Sequence, residues 1–201
     1  MLEIHSLSFD YEEKPLLKNI QFSVKAGTLL HLKGGNGVGK TTLLKLLAGL
    51  LRPVKGDICW QGSSIYHNLA SFQQLICYVG HKLGINSQLT VAENCLLDFH
   101  WQGPSVYLPR LLHRLSLEDL ADKPCSQLSA GQLRRVALAR LLMRKVSLWL
   151  LDEPLNALDD KSIELLSTCF NEHLAWGGLI IMTSHQALPA YFKDCQEYQL
   201  C

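Results

Sequence analysis

The residues with the clearest chemical meaning are GGNGVGKT, Gly34 to Thr41, which fit the phosphate-loop spacing G-x-x-x-x-G-K-[ST]. Gly34, Gly35, Gly37 and Gly39, with Asn36 and Val38 between them, let successive backbone N–H groups turn inward around phosphate oxygens. A helix opening directly afterwards aims its positive end at the same anion. Lys40 can reach the terminal phosphates, and the hydroxyl of Thr41, followed by Thr42, can ligate Mg²⁺. A second group is LWLLDEP, Leu148 to Pro154, an apolar strand that ends in two carboxylates. Asp152 at its tip can hold Mg²⁺ through water, and Glu153 can polarise an attacking water. Together the two groups imply ATP and Mg²⁺ chemistry at a phosphoryl bond. Either group alone has a bland reading, a glycine-rich turn or a strand running into an acidic loop. Their pairing in one chain makes that reading the weaker one.

A third stretch, LSAGQLRRVALAR (Leu128 to Arg140), opens a helix oddly. Ser129 and Gln132 form an S-x-x-Q capping box. Gly131 then falls in the first turn, where glycine is a poor helix former. Something must need bare backbone at that spot.

The elements that position these residues are legible as a pattern. The first 30 residues alternate as strands, with a turn near Glu12–Pro15. Leu29 to Leu32 is a short apolar strand, and a helix runs from Lys40 to about Leu47. Arg52 to Gly56 is a turn, and Ile58 to Trp60 a further strand. From about Thr90 to Met143 the pattern is helical: Thr90-Val-Ala-Glu93 is a capping box, Val106 to Leu115 a helix, and Leu133 to Met143 another. The strand at 147–151, a helix near Lys161 to Leu174 and the strand at 179–183 follow. Strands alternating with helices predict a parallel α/β sheet with a helical lobe inserted into it.

Composition removes other classes. The 201 residues are 48% hydrophobic, and 19 basic side chains nearly balance 18 acidic ones, so no basic field points to nucleic acid. The acidic, alternating N-terminus is unlike a secretory signal. The longest uncharged stretch, Ile58 to His81, carries Gln, Ser and Asn that hydrocarbon would not tolerate. Seven cysteines (59, 77, 95, 125, 169, 195 and 201) show no C-x-x-C spacing, which predicts reduced thiols rather than a metal or disulfide framework.

With Leu128-Ser-Ala-Gly-Gln132 beside the phosphate loop and LWLLDEP, the chain resembles the ATP-binding subunits of ABC transporters, whose signature has the form L-S-G-G-Q. The resemblance covers essentially the whole chain. It implies a P-loop NTPase (RecA-like) parallel sheet core with N-terminal antiparallel strands and an inserted α-helical subdomain. The single ABC ATPase domain is then 1–201, with 1–87 and 146–201 as nucleotide-binding core and about 88–145 as the helical signature subdomain. It also implies a homodimer in which Ser129, Ala130, Gly131 and Gln132 of one subunit face the γ-phosphate on the other's phosphate loop. That would explain Gly131, because a β-carbon there could block close approach to the phosphate. Ala130 departs from the usual glycine.

Further roles follow from the same resemblance. Asn156 to Asp159 is similar to the D-loop, with Asn156 where Ser is usual. His185 is similar to the switch histidine that contacts the γ-phosphate. Tyr11 is similar to the aromatic that stacks on adenine, although an ordinary strand tyrosine would look the same. His81 stands where the family has the glutamine of its Q-loop, a softer ligand than Mg²⁺ prefers. It is therefore expected to act by hydrogen bonding or through water.

The small size, the YVGHKLG loop and the short run beyond His185 are most similar to the ATP-binding subunits of bacterial cytochrome c maturation exporters. That implies integral membrane permease partners of the CcmB/CcmC type, haem export, and a peripheral position on the cytoplasmic face of the inner membrane. No histidine here forms a haem motif such as C-x-x-C-H, so no direct haem ligand is expected. Another small-substrate ABC exporter stays open as an alternative, as does a soluble ABC ATPase. The absence of a coiled coil between Lys40 and Ser129, and the single cassette, weigh against the soluble class.

Overall fold

The computed structural model describes the chain except residues 13, 98–106, 185–187, 190–191 and 193–194. The first strand, β1 (Leu2–Tyr11), does not alternate strictly, yet Leu2, Ile4, Leu7 and Phe9 are all buried. Even and odd positions of an ideal strand face opposite sides. Its register shifts between Ile4 and Leu7, where Ser6 takes φ 46°, and this bulge returns both pairs to one face. β2 (Lys14–Val24) pairs antiparallel with one edge of β1, and β4 (Lys55–Trp60) with the other. The two-residue β5 (Ser63–Ser64) completes the sheet, in the order β2-β1-β4-β5.

The second sheet is parallel throughout, in the order β6-β7-β8-β3-β9. Its strands are β3 (Leu29–Lys33), β6 (Ile76–Val79), β7 (Leu148–Leu151), β8 (Leu179–Thr183) and β9 (Cys195–Gln199). β3, β7 and β8 are apolar on both faces, as strands covered on both sides must be. Leu30, Leu32, Leu148, Leu150 and Ile181 join Leu43, Leu44, Leu46 and Leu47 of α1 (Lys40–Leu47) and the buried face of the first sheet. Leu29, Trp149, Leu151, Ile180 and Met182 face the other way, against α5 (Ala130–Met143) and α6 (Asp160–Ala175). The two-residue period of the strands thus divides one sheet between two cores.

A third core forms the helical region. Val91 and Cys95 of α3 (Val91–Leu96), Leu111 and Leu112 of α4 (Tyr107–Arg114), and Val136, Ala139 and Met143 of α5 pack together. The expected cap at Thr90 is present, with Thr90 Oγ1 accepting from Glu93 N–H at 3.2 Å and Glu93 Oε2 accepting from Thr90 N–H at 2.8 Å. Val106, the expected start of α4, and the end of the expected helix after Thr90 lie outside the described residues.

β6, β9 and the short α2 (Leu69–Gln74) are elements that the periodicity missed. Four residues of β6 lie inside a polar run. Gln196, Glu197 and Gln199 are exposed on β9, an edge strand that pairs with β3 alone. Such a strand carries little apolar signal. No described helix is long and apolar enough to cross a membrane.

Candidate functional site

The phosphate loop connects the end of β3 to the start of α1. Gly39, the residue before α1, has φ 105° and offers no side chain to cap the helix. A β-carbon there would lie 2.8 Å from Leu17 Cδ2. Glycine is therefore required twice over, for the left-handed turn and for the close approach of β2. Without a capping side chain, the first-turn N–H groups of α1 stay available to an anion. Lys40 is 7% exposed and folds back over the loop, donating from Nζ to the carbonyls of Gly34 at 2.7 Å and Gly35 at 2.9 Å.

Asn36, Gly37, Gly39, Lys40, Thr41, Thr42, Leu16 and Glu153 line a cavity of about 400 Å³. The sheet explains how residues 111 positions apart meet there. β7 ends at Leu151, so Asp152 emerges at the carboxyl edge of the sheet, where β3 delivers the loop. Asp152 is buried and accepts from Thr41 Oγ1 at 2.7 Å and from Thr183 Oγ1 at 2.8 Å. Thr183 ends β8, and its hydroxyl also accepts from the Glu153 N–H at 2.9 Å. Thr183 thus fixes both carboxylate residues. The sequence carried one weak signal for it, a hydroxyl at the end of an otherwise apolar strand. Tyr78, on β6, is pushed up to about 12, first by burial and then by the charge of Asp152, so its phenol stays neutral.

Thr41 and Asp152 suit Mg²⁺. Both offer hard oxygen donors, and they converge within hydrogen-bonding distance of each other at the cavity. Among the described residues no cluster of three or more His, Cys, Asp or Glu could cage a metal on its own. A cation here would therefore share its shell with phosphate oxygens and water, which is how Mg²⁺ is commonly held.

Glu153 has φ 52°, in the left-handed region that non-glycine residues avoid. Its carboxylate accepts from Asn156 Nδ2. Asn156 thus holds the side chain of Glu153. Ala157 follows with φ 62°, and Asp159 caps α6 by accepting from the Ser162 N–H at 2.9 Å. These bonds to Ser162 hold the Asp159 carboxyl below its ordinary value.

The signature lies elsewhere. Ser129 caps α5 with both halves of the expected box: Ser129 N–H donates to Gln132 Oε1 at 2.8 Å, and Gln132 N–H donates to Ser129 Oγ at 3.3 Å. Ser129, Gly131, Gln132 and Arg135 share a recess of about 220 Å³ with Ala157, Leu158, Asp159 and Ser162. None of these lines the phosphate cavity. Ala130 is exposed at the first position of α5.

Gly131 has a reason that the sequence did not reveal. A β-carbon there would sit 2.6 Å from the carbonyl oxygen of Ala157. The start of α5 and the segment after β7 therefore meet through backbone. Gly131→Ala should force Ala157 away and take Asn156 and Glu153 with it. Turnover is expected to fall roughly 100-fold, the usual effect of a displacement near 1 Å, while the affinity for MgATP is unchanged. Steady-state hydrolysis beside a nucleotide titration checks this, and wild-type turnover would show that the contact yields freely.

Two expected residues, Tyr11 and His81, do not line the cavity. Tyr11 ends β1 with 45% exposure, its ring edge-on to Phe9 at 4.8 Å, and Leu16 rather than Tyr11 lines the cavity. His81 is exposed in the loop after β6. His185 lies outside the described residues. A cleft of about 380 Å³ at the opposite edge of the sheet, between Trp149, His173 and Trp176, contains none of the phosphate-loop residues.

The sequence pattern of the ABC transporter family matches residues 17–156. A relative from Legionella pneumophila (strain Lens), the cytochrome c biogenesis ATP-binding export protein CcmA, is 52% identical over 200 residues, covering 100% of both chains. The protein of the same name from Salmonella typhi is 43% identical over 189 residues, 94% of this chain and 91% of that one. A solved ATP-binding subunit of an ABC transporter superposes with TM-score 0.89 at 26% identity, over 100% of this chain and 85% of its own. A phosphate loop, a buried aspartate bonded to its threonine, and a separate capped signature accompany these matches, and the chain belongs to the ABC transporter family.

Proposed function

We propose that this chain is the ATP-binding and ATP-hydrolysing subunit of an ABC exporter serving cytochrome c maturation, with haem as the exported group. One observation carries the hydrolytic part: Lys40, Thr41 and Glu153 line a single cavity, and Asp152 is bonded to Thr41 beneath it. The 52% identity to the Legionella CcmA along the whole chain supports the biological assignment.

In this reading the chain is one ABC ATPase domain, with 1–87 and 146–201 as nucleotide core and about 88–145 as signature subdomain. The phosphate loop and Lys40 bind the ATP phosphates, and Tyr11 stacks on the adenine. Mg²⁺, when bound by Thr41 and, through water, by Asp152, supplies charge neutralisation on the phosphate oxygens. Glu153 holds the attacking water in line, and His185 contacts the γ-phosphate. Catalysis is then positioning plus electrostatics. Two chains close head to tail, so that Ser129, Gly131 and the start of α5 in one clamp the γ-phosphate on the other. The separation of signature recess and phosphate cavity within one chain supports that arrangement. His81 and the helical region face integral membrane subunits of the CcmB/CcmC type at the cytoplasmic side of the inner membrane.

The test is a pull-down of the full chain from detergent-solubilised native membranes, with haem absorbance recorded and ATPase assayed on the eluate. Recovery of CcmB/CcmC-like proteins with haem and turnover is the expected result. A different permease would keep the ATPase and discard the haem assignment. Recovery of no membrane protein would discard the transporter reading.

A further inference from the structure

Three arginines on α5 follow the signature, and they are treated differently. Arg135 donates to the carbonyls of Leu115 at 2.9 Å and Ser116 at 3.2 Å. Arg140 donates to the carbonyl of Gly84 at 2.9 Å. Arg134 is 7% exposed, and its Nε and Nη1 are buried with no hydrogen-bond partner. A guanidinium keeps its charge in proteins and carries five N–H donors. Burying two of its nitrogens without partners is costly, and an apolar side chain of similar volume would fold at least as well. Packing therefore does not account for an arginine at this position.

Its place on the helix indicates what it faces. Leu138 and Leu141 lie one and two turns further along the same face and pack with Cys77 and Val79 of β6 and Leu151 of β7. α5 runs back toward the start of β7, so Arg134 sits at the carboxyl ends of those strands, where Asp152 and Glu153 emerge. Burial pulls the guanidinium down from its ordinary value, and the charges of Glu153 and then Asp152 oppose that pull. Asp152 already accepts from two threonines. Glu153 is the partly exposed carboxylate that lines the cavity, and it accepts from Asn156.

We propose that Arg134 is a positioning residue for Glu153, a buried guanidinium on the signature helix that pairs with its carboxylate in the nucleotide-closed state. This rests on the reading of Glu153 as the residue that orients the attacking water. The pairing adds a charged anchor to the one that Asn156 supplies, and so fixes how the carboxylate is aimed at that water. It also ties the signature helix, which serves the partner's nucleotide, to the carboxylate that serves the chain's own. An apolar residue would provide neither link, which accounts for a charge kept where it weakens the fold.

The test compares Arg134→Met, Arg134→Lys and Glu153→Gln with wild type in the solubilised membrane complex, measuring kcat and KM for MgATP and the thermal midpoint. Arg134→Met is expected to lose about 10- to 100-fold in kcat, the effect of one charge-assisted hydrogen bond. Its KM should stay within about threefold, because the loss falls on the chemical step. Its midpoint should hold or rise. Arg134→Lys should recover part of kcat by restoring a cation. Wild-type kcat in Arg134→Met would overturn the proposal. So would a joint fall of kcat and midpoint with no recovery in Arg134→Lys, which is what a packing role gives. If Glu153→Gln loses turnover and Arg134→Met does not, the hydrolytic reading stands and the positioning role falls. If Glu153→Gln turns over normally, both fall.

Discussion

Glu153→Gln is expected to lose ATP turnover by about 100-fold or more while still binding nucleotide. The substitution preserves shape. A glutamine side-chain oxygen can still accept from Asn156, and the backbone N–H still donates to Thr183. What disappears is the negative charge in the cavity lining that would polarise and orient water. A loss of about 3 kcal/mol in stabilisation of the transition state corresponds to that factor. In the proposed reading ground-state binding depends on Lys40, the loop N–H groups and Thr41, none of which changes. The variant should therefore accumulate with ATP bound, and the closed dimer should outlast that of wild type. Single-turnover quench of γ-labelled ATP, with size-exclusion chromatography in ATP, measures both. Normal hydrolysis would remove Glu153 from the chemistry.

Lys40→Ala should act one step earlier. The ammonium spends its bonds on the Gly34 and Gly35 carbonyls, both at the partly open mouth of the loop, where water can replace it. The fold should thus tolerate its loss. Bound ATP offers far better acceptors, and a charge-assisted bond to phosphate contributes about 1.5–3 kcal/mol. Affinity for MgATP should fall about 10- to 100-fold, with a thermal midpoint near that of wild type. Calorimetric titration with MgATP, beside thermal unfolding without nucleotide, checks both halves. Unchanged affinity would mean that Lys40 keeps its carbonyl partners when ATP is bound.

The candidate site residues were the most legible part of this sequence, because phosphate binding demands particular residue types at fixed spacing. Glycines must precede Lys40 and Thr41, and an apolar strand must carry Asp152 to the sheet edge. The strands at Leu29 and Leu179 and the helix from Lys40 could be read for the same reason, since burial on both faces or one leaves a strong apolar pattern. The contacts that assemble the site were hidden. Thr183 looks like any strand-end hydroxyl until β8 is set beside β7. Arg134 reads as one more charge on a helix. Gly131 has the right type for a phosphate clamp, but its clash partner, the Ala157 carbonyl, lies on a different element. β9 was missed because an edge strand of Gln and Glu has no periodicity to read.

The backbone contact between Gly131 and Ala157 has a genetic consequence. Asn156, bonded to Glu153, precedes Ala157, so one short segment joins the carboxylate of each chain to its signature. In the proposed homodimer those two groups serve different ATP molecules. A lesion in this segment therefore harms the nucleotide on its own chain and the one held by its neighbour. Cells expressing damaged and intact alleles together would lose every mixed dimer as well as every damaged one. The defect would be inherited as dominant, with transport falling below the half that gene dosage alone leaves.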